Sequence, residues 1–162
     1  MQKINISIDG YSSSGKSSIA KSLAKMLNYK YINTGAMYRA VTYLCVKKGM
    51  FNTQFDYKKL YNILRDIKIN YNYDFIYDME KIIINDNDVS SKIRNIEVTD
   101  HVSFVSQLKK VRDKLISIQR LYAEDKGVVM EGRDIGTVVL PKSEVKFFIS
   151  TDIEIRAKRR LK

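Results

Sequence analysis

The stretch that most constrains this chain is Gly10-Tyr11-Ser12-Ser13-Ser14-Gly15-Lys16-Ser17, which fits the pattern G-x-x-x-x-G-K-[ST] without a gap. Its surroundings matter as much as the pattern. Ile4 to Asp9 alternates apolar and polar residues and reads as a short strand ending at Gly10. Ser17 to Leu27 then carries Ile19, Leu23, Ala24, Met26 and Leu27 at helical spacing. A loop of this kind wraps backbone N–H groups around phosphate oxygens, in conformations that glycine reaches cheaply. The helix that follows points its positive end at the same phosphates. Lys16 is placed to reach the β- and γ-phosphates, and the Ser17 hydroxyl to ligate Mg²⁺. Ser12, Ser13 and Ser14 keep the loop small and polar, and Ser18 continues it into the helix. A Gly/Ser-rich turn without a ligand is the competing reading. The position between a strand and an amphipathic helix counts against it.

The rest of the chain alternates strand and helix. Tyr29 to Ile32 reads as a second strand, and a helix is expected from about Ala36 to Lys48, stopped by Gly49. From Phe51 the texture changes. Tyr57 to Leu64 is helical in pattern, while Ile67 to Tyr73 and Lys81 to Asn85 read as strands and Asn85-Asp86-Asn87-Asp88 as a turn. One long amphipathic helix is expected over Ser103 to Ala123, from Val105, Leu108, Val111, Leu115, Ile118 and Leu121. Gly127 to Met130 and Val145 to Ile149 are continuous apolar runs, the form of central strands covered on both faces. Thr151-Asp152 is placed to cap a last helix running to Lys162. The fold class is therefore α/β: a doubly wound parallel sheet with helices on both faces and a small β-containing insertion. Residues 1–50 and 127–162 are expected to form the core, and 51–126 the insertion with the long helix that returns to it. In such sheets ligands sit beyond the carboxyl ends of the strands. Asp9-Gly10, Asn33-Thr34 and Glu131-Gly132 all fall at such ends.

Composition narrows the partners. With one cysteine, Cys45, and one histidine, His101, neither an intrachain disulfide nor a zinc site of the usual ligand type is expected. Cys45 lies in an apolar helical run and reads as a buried reduced thiol. No leader segment is visible, and no apolar run reaches the roughly 18 residues a membrane span needs, so a cytoplasmic protein is expected. The formal net charge of +11 comes from scattered lysines rather than a dense basic block. A lysine-rich surface on a protein that handles polyanionic nucleotides accounts for it, with a nucleic-acid partner as the alternative. The chain is expected to act as a monomer.

A second constellation lies at the other strand ends. Thr34-Gly35-Ala36-Met37-Tyr38-Arg39 follows the second strand, Arg112 lies on the long helix, and Glu131-Gly132-Arg133-Asp134-Ile135-Gly136-Thr137 follows the Gly127 to Met130 strand. Arg39, Arg112 and Arg133 are suited to hold a second phosphate by bidentate contacts. Singly, each has a plainer reading, as solvated helix arginines or as a local Arg133–Asp134 ion pair.

At these residues the chain resembles the bacterial cytidylate kinases, the CMP/dCMP kinases among the P-loop nucleoside monophosphate kinases. The resemblance is collinear. It takes in IDGYSSSGKSS, NTGAMYR, DVSSKIR (Asp88 to Arg94), VRDKLISIQR, and GVVMEGRDIGTVVLP followed by VKFFISTD. It implies a P-loop NTPase fold whose insertion binds the monophosphate, ATP and Mg²⁺ as cofactors, and CMP or dCMP as acceptor. It also implies roles. Arg39 and Arg133 hold the acceptor phosphate. Ser103, Arg112 and Asp134 read the cytosine, and Thr34 lies at the same pocket. Lys16, Arg39, Arg133 and Asp134 form the catalytic set, and Glu131 orients Mg²⁺ through water. A carboxylate at 134 accepts from the cytosine N4 amino group and repels the uracil oxygen. The basic run Arg156, Lys158, Arg159, Arg160 is where a lid over the phosphates begins. Family members continue past the position of Lys162 with the rest of that lid, a last strand and a closing helix, a part of the pattern not represented in these residues. Adenylate, shikimate or dephospho-coenzyme A kinases, or an RNA-associated NTPase, are the alternative readings.

Overall fold

A computed structural model describes residues 2–52 and 54–161. The chain divides into two compact units, Met1–Thr34 with Gln119–Lys162, and Gly35–Ile118. The second unit is larger at its start than the insertion expected from 51 onward. It takes in the helix after Thr34, because Arg39 on that helix donates to the Ile93 carbonyl (3.4 Å) and to Thr99 Oγ1 (3.1 Å), both within the same unit.

The first unit is built on a four-stranded sheet. Its strands are β1 (Asn5–Gly10), β2 (Lys30–Asn33), β6 (Val128–Gly132) and β7 (Val145–Ile149), in the order β2-β6-β1-β7 and parallel throughout. The two inner strands, β1 and β6, are buried along their whole length, as the apolar run at 128–130 requires. Helix α1 (Lys16–Leu27) crosses from β1 to β2 and packs on the sheet through Ala20 and Ala24. It ends at Asn28, whose left-handed backbone (φ 53°) returns its N–H to the helix carbonyls.

Strand β7 pairs with β1, and among the described residues Phe147 and Phe148 are exposed. The last helix, α6 (Ile153–Arg160), starts where Asp152 accepts from the Glu154 N–H (2.8 Å) and ends one residue before Leu161; Lys162, where the helix was expected to end, lies outside the described residues.

In the second unit, α2 (Thr34–Lys47) and α3 (Tyr57–Asp66) precede an antiparallel sheet of β3 (Ile69–Asp74), β4 (Met79–Ile84) and the two-residue β5 (Asn87–Asp88). Here alternation is strict. Tyr71, Tyr73, Ile82 and Ile84 are buried while their neighbours in the chain are not. Asn85 and Asp86 both take positive φ, which suits the tight β4–β5 hairpin.

The single helix expected over Ser103 to Ala123 is two helices, α4 (Ile96–Gln107) and α5 (Lys109–Tyr122). Leu108 between them has extended backbone (ψ 119°). The break is hidden in the sequence because the apolar spacing survives it: Val105, Val111 and Leu115 are all fully buried. The true start of α4 has a signal of its own, Asn95, whose side chain accepts from the Val98 N–H (2.8 Å).

Candidate active site

The phosphate loop of the first unit leaves the sheet at Gly10, where no other residue fits: a Cβ there would lie 2.5 Å from the Ile149 carbonyl oxygen. The loop then turns through left-handed conformations at Ser13 (φ 59°) and Gly15 (φ 90°) before α1 begins at Lys16. Gly15 places no side chain over the first N–H groups of α1, and the first turn carries no acidic residue. The positive end of the helix is therefore open toward the loop. A cavity of about 640 Å³ lies there, lined by residues 13–19 and Arg159. The Ser14 hydroxyl is buried in the loop without a hydrogen-bond partner among the described residues. A buried donor of this kind costs free energy unless something accepts from it, and an anion in the loop would do so.

Glu131, at the end of β6, organises the other side of the loop. It is 1 % exposed. One carboxylate oxygen accepts from Ser17 Oγ (2.9 Å) and lies 3.9 Å from Lys16 Nζ; the other accepts from the Tyr31 hydroxyl on β2. Lys16 Nζ also donates to the Tyr11 carbonyl (3.3 Å). Burial pulls the Lys16 ammonium below the ordinary lysine range. Glu131 opposes that, Arg133 adds to it and Asp9 opposes it. Ser17 and Glu131 together offer hard oxygen donors beside the loop, which fits Mg²⁺ rather than a soft metal.

Guanidinium groups surround the loop. Arg133 donates to the Gly10 carbonyl (2.6 Å), Arg159 to the Ser13 carbonyl (3.2 Å) and Arg160 to Ser12 Oγ (3.0 Å). Arg156 lies 4.9 Å over the Tyr11 ring, whose edge meets Phe148. Burial lowers the pKa of Arg133; Glu131 counters this, while Arg160 and Arg156 add to the fall. The arginines of α6 are largely exposed, yet all three touch the loop through these contacts. Thr34 is buried, its hydroxyl donating to the Glu131 carbonyl (2.8 Å), and Gly132 is confined because a Cβ there would lie 2.6 Å from Thr34 Oγ1. Asp134 is half-buried and directly precedes a turn at Ile135–Val139. Within the second unit, Arg39 is held by Ile93 and Thr99, Ser103 is exposed on α4, and Arg112 is half-buried in the first turn of α5. Ser103 and Arg112 therefore lie on different helices rather than on one.

A family model described as cytidylate kinase matches residues 6–162. The chain belongs to the cytidylate kinase family. It is 46 % identical over 162 residues to the cytidylate kinase of Parabacteroides distasonis, covering 99 % of this chain and 71 % of that protein. It is 45 % identical over 161 residues to that of Phocaeicola vulgatus, covering 99 % and 70 %. With that of Streptococcus gordonii it shares 44 % over 162 residues, covering 100 % and 71 %. Membership makes the chain a nucleotide-using phosphotransferase with a parallel-sheet P-loop fold.

Two residues of this candidate site take contacts that the amino-acid pattern does not specify. Tyr31 reads as a strand residue, and only the pairing of Tyr31 with Val129 and of Asn33 with Glu131 brings its hydroxyl to the carboxylate. Asp9 reads as the last polar residue of a strand; in the fold it accepts from the backbone N–H groups of Ile135 (2.6 Å) and Gly136 (2.9 Å). Its position at a strand end beside the loop is the one available signal. No helix among the described residues is long and apolar enough to cross a membrane.

Proposed function

We propose that this protein transfers the γ-phosphoryl group of ATP to the phosphate of CMP or dCMP, giving CDP or dCDP. The observation that carries the reading is the phosphate loop at an uncapped helix N-terminus, with Lys16 and Ser17 both tied to the buried carboxylate of Glu131. Residues 10–18 hold the triphosphate: their N–H groups and Lys16 neutralise charge on the β- and γ-phosphates. Ser17 would hold Mg²⁺, with Glu131 beside it, and the ion would supply further neutralisation of the transferring group. Arg39 and Arg133 hold the acceptor phosphate. Ser103, Arg112 and Asp134 read the cytosine, and Thr34 shapes the same pocket.

The acceptor oxygen of a nucleoside monophosphate is ionised near neutral pH, so the reaction needs no general base. Catalysis then comes from alignment of the two phosphates and from fixed positive charge around them. The guanidinium of Arg133 is suited to this, because its hydrogen bond to the Gly10 carbonyl holds it beside the loop. The arginines of α6 bond to carbonyl and hydroxyl oxygens of the loop, and such groups are exchanged readily for phosphate oxygens as a lid closes.

The test is coupled ADP release from ATP with CMP, dCMP, UMP and AMP as acceptors, using full-length protein. Turnover with CMP or dCMP well above that with UMP and AMP is expected. Equal turnover with all four would overturn the assignment of Asp134, and no turnover with any would overturn the reading.

A further inference from the structure

Residues Ile135–Val139 form one π-helical turn, a rare form that concentrates at functional sites. Such a turn leaves its first N–H groups and its last carbonyls without partners of its own. Here side chains from two other elements of the same unit supply both sets. At the amino end, Asp9 on β1, 8 % exposed, accepts from the N–H groups of Ile135 and Gly136 through its two oxygens. At the carboxyl end, Arg120 on α5 donates from Nε to the Val139 carbonyl and from an Nη to the Val138 carbonyl, each at 2.9 Å. A carboxylate at the start and a guanidinium at the end also match the dipole of the turn. The Lys146 side chain lies against the turn as well: a Cβ on Gly136 would be 3.1 Å from its Cδ.

Arg133 and Asp134 come directly before this turn. Asp134 leaves the strand in a backbone conformation of its own (φ −147°, ψ 34°), and its carboxylate does not cap the turn. The direction in which these two residues leave β6 is therefore set by where the turn is anchored.

We propose that Asp9 and Arg120 are positioning residues for the acceptor nucleotide: they pin the two ends of the 135–139 turn and so fix the presentation of Arg133 and Asp134. This rests on the reading of Arg133 and Asp134 as acceptor ligands. Neither Asp9 nor Arg120 touches the acceptor in this scheme. Asp9 also contributes to the electrostatics of Lys16, so its substitution disturbs the donor loop as well. Arg120 is the cleaner probe. It is exposed, it bonds the far end of the turn, and it lies outside the loop.

The experiment compares Arg120→Gln and Arg120→Lys with the unaltered full-length protein in steady-state kinetics and in CMP binding by calorimetry. Arg120→Gln is expected to raise KM for CMP about tenfold and to narrow the CMP-over-UMP preference severalfold, with KM for ATP held within about twofold. Arg120→Lys keeps one donor and should recover part of both losses. A merely structural role would lower thermal stability while leaving CMP affinity and base preference as they were, and that result overturns the proposal. So does an equal rise in KM for both nucleotides. Arg133→Ala and Asp134→Ala are measured alongside. If they leave CMP affinity and base preference intact, the acceptor reading fails and the positioning role with it. If they disrupt both and Arg120→Gln does not, the positioning role alone fails.

Discussion

In the first unit the polar residues of the site stand at the carboxyl ends of parallel strands: Asp9 and Gly10 on β1, Glu131 and Gly132 on β6. In the second, Arg39, Ser103 and Arg112 ride on three helices around a short antiparallel sheet. The contrast is one of constraint. A strand end in a parallel sheet is fixed by the ladders on its two sides, and β1 and β6 have both. A glutamate buried at such an end can be aimed at Ser17 and Tyr31, and a charged group needs such partners if it is to stay buried. A helix residue depends on where its helix starts, bends and stops. Ser103 and Arg112 are separated by the break at Leu108, so their relation is set by one non-helical residue. The buried carboxylate of Glu131 is thus fixed by the sheet, while Arg39, Ser103 and Arg112 stand on helices whose ends tertiary packing sets.

This contrast can be broken by experiment. The largest effect expected is from Lys16→Ala. Removing the ammonium should lower kcat/KM by about 10³-fold or more, roughly 4 kcal/mol of transition-state stabilisation, with the melting temperature nearly unchanged. A small kinetic effect would mean the loop is not the rigid half of the site. Ile82→Ala probes the second unit, since Ile82 is fully buried in β4. It should cost about 2–4 kcal/mol of stability in urea denaturation. ATP affinity should be kept wherever the protein remains folded; a parallel loss of ATP binding would show that the two units are not separable in this sense.

Tyr31→Phe sharpens the comparison from the other side. It removes one hydrogen bond to a buried carboxylate and should cost about 1–3 kcal/mol, read as weaker binding of Mg·ATP and a fall in kcat/KM of roughly tenfold. Full retention of both would show that Glu131 is held without Tyr31.

Two further effects are confined to the ends of the pH range, one in each unit. Hydrogen bonds from Lys126 and from the Asn5 backbone hold the exposed Glu144 carboxyl down to about 2. The ordinary carboxyl value is about 4.3, so its contribution is present above that pH and is lost as pH falls toward 2. Burial pushes the Cys45 thiol up to about 12. An unfolded thiol ionises near 8.5, so stability should decline as pH rises from there toward 12. Denaturation midpoints of Glu144→Gln and Cys45→Ala across pH check both: the first should flatten only the acid limb, the second only the alkaline limb.

Much of the donor side was legible from the amino acids alone, because its information is local. The spacing of Gly10, Gly15, Lys16 and Ser17 encodes a backbone path, and the helix that must follow is visible in Ala20, Leu23 and Ala24. The strands of the second unit were legible too, through the alternation over Ile67 to Tyr73 and the apolar run at Ile82 to Ile84. The misreading is of another kind: Leu108 keeps the helical spacing of its neighbours while breaking the helix.

A glycine loop, a lysine and a hydroxyl at fixed offsets are a property of the chain, since neighbouring residues are always neighbours. The phosphate site follows from that order of residues wherever the strand and the helix form. What surrounds it does not. Ser17, Tyr31 and Glu131 meet only because β2 lies beside β6 in one particular register, and Asp9 and Arg120 reach the same turn from sequence distances of more than a hundred residues and of fewer than twenty. Such contacts are chosen by sheet order and burial. A buried carboxylate must find its donors, and only the folded sheet decides which donors are within reach.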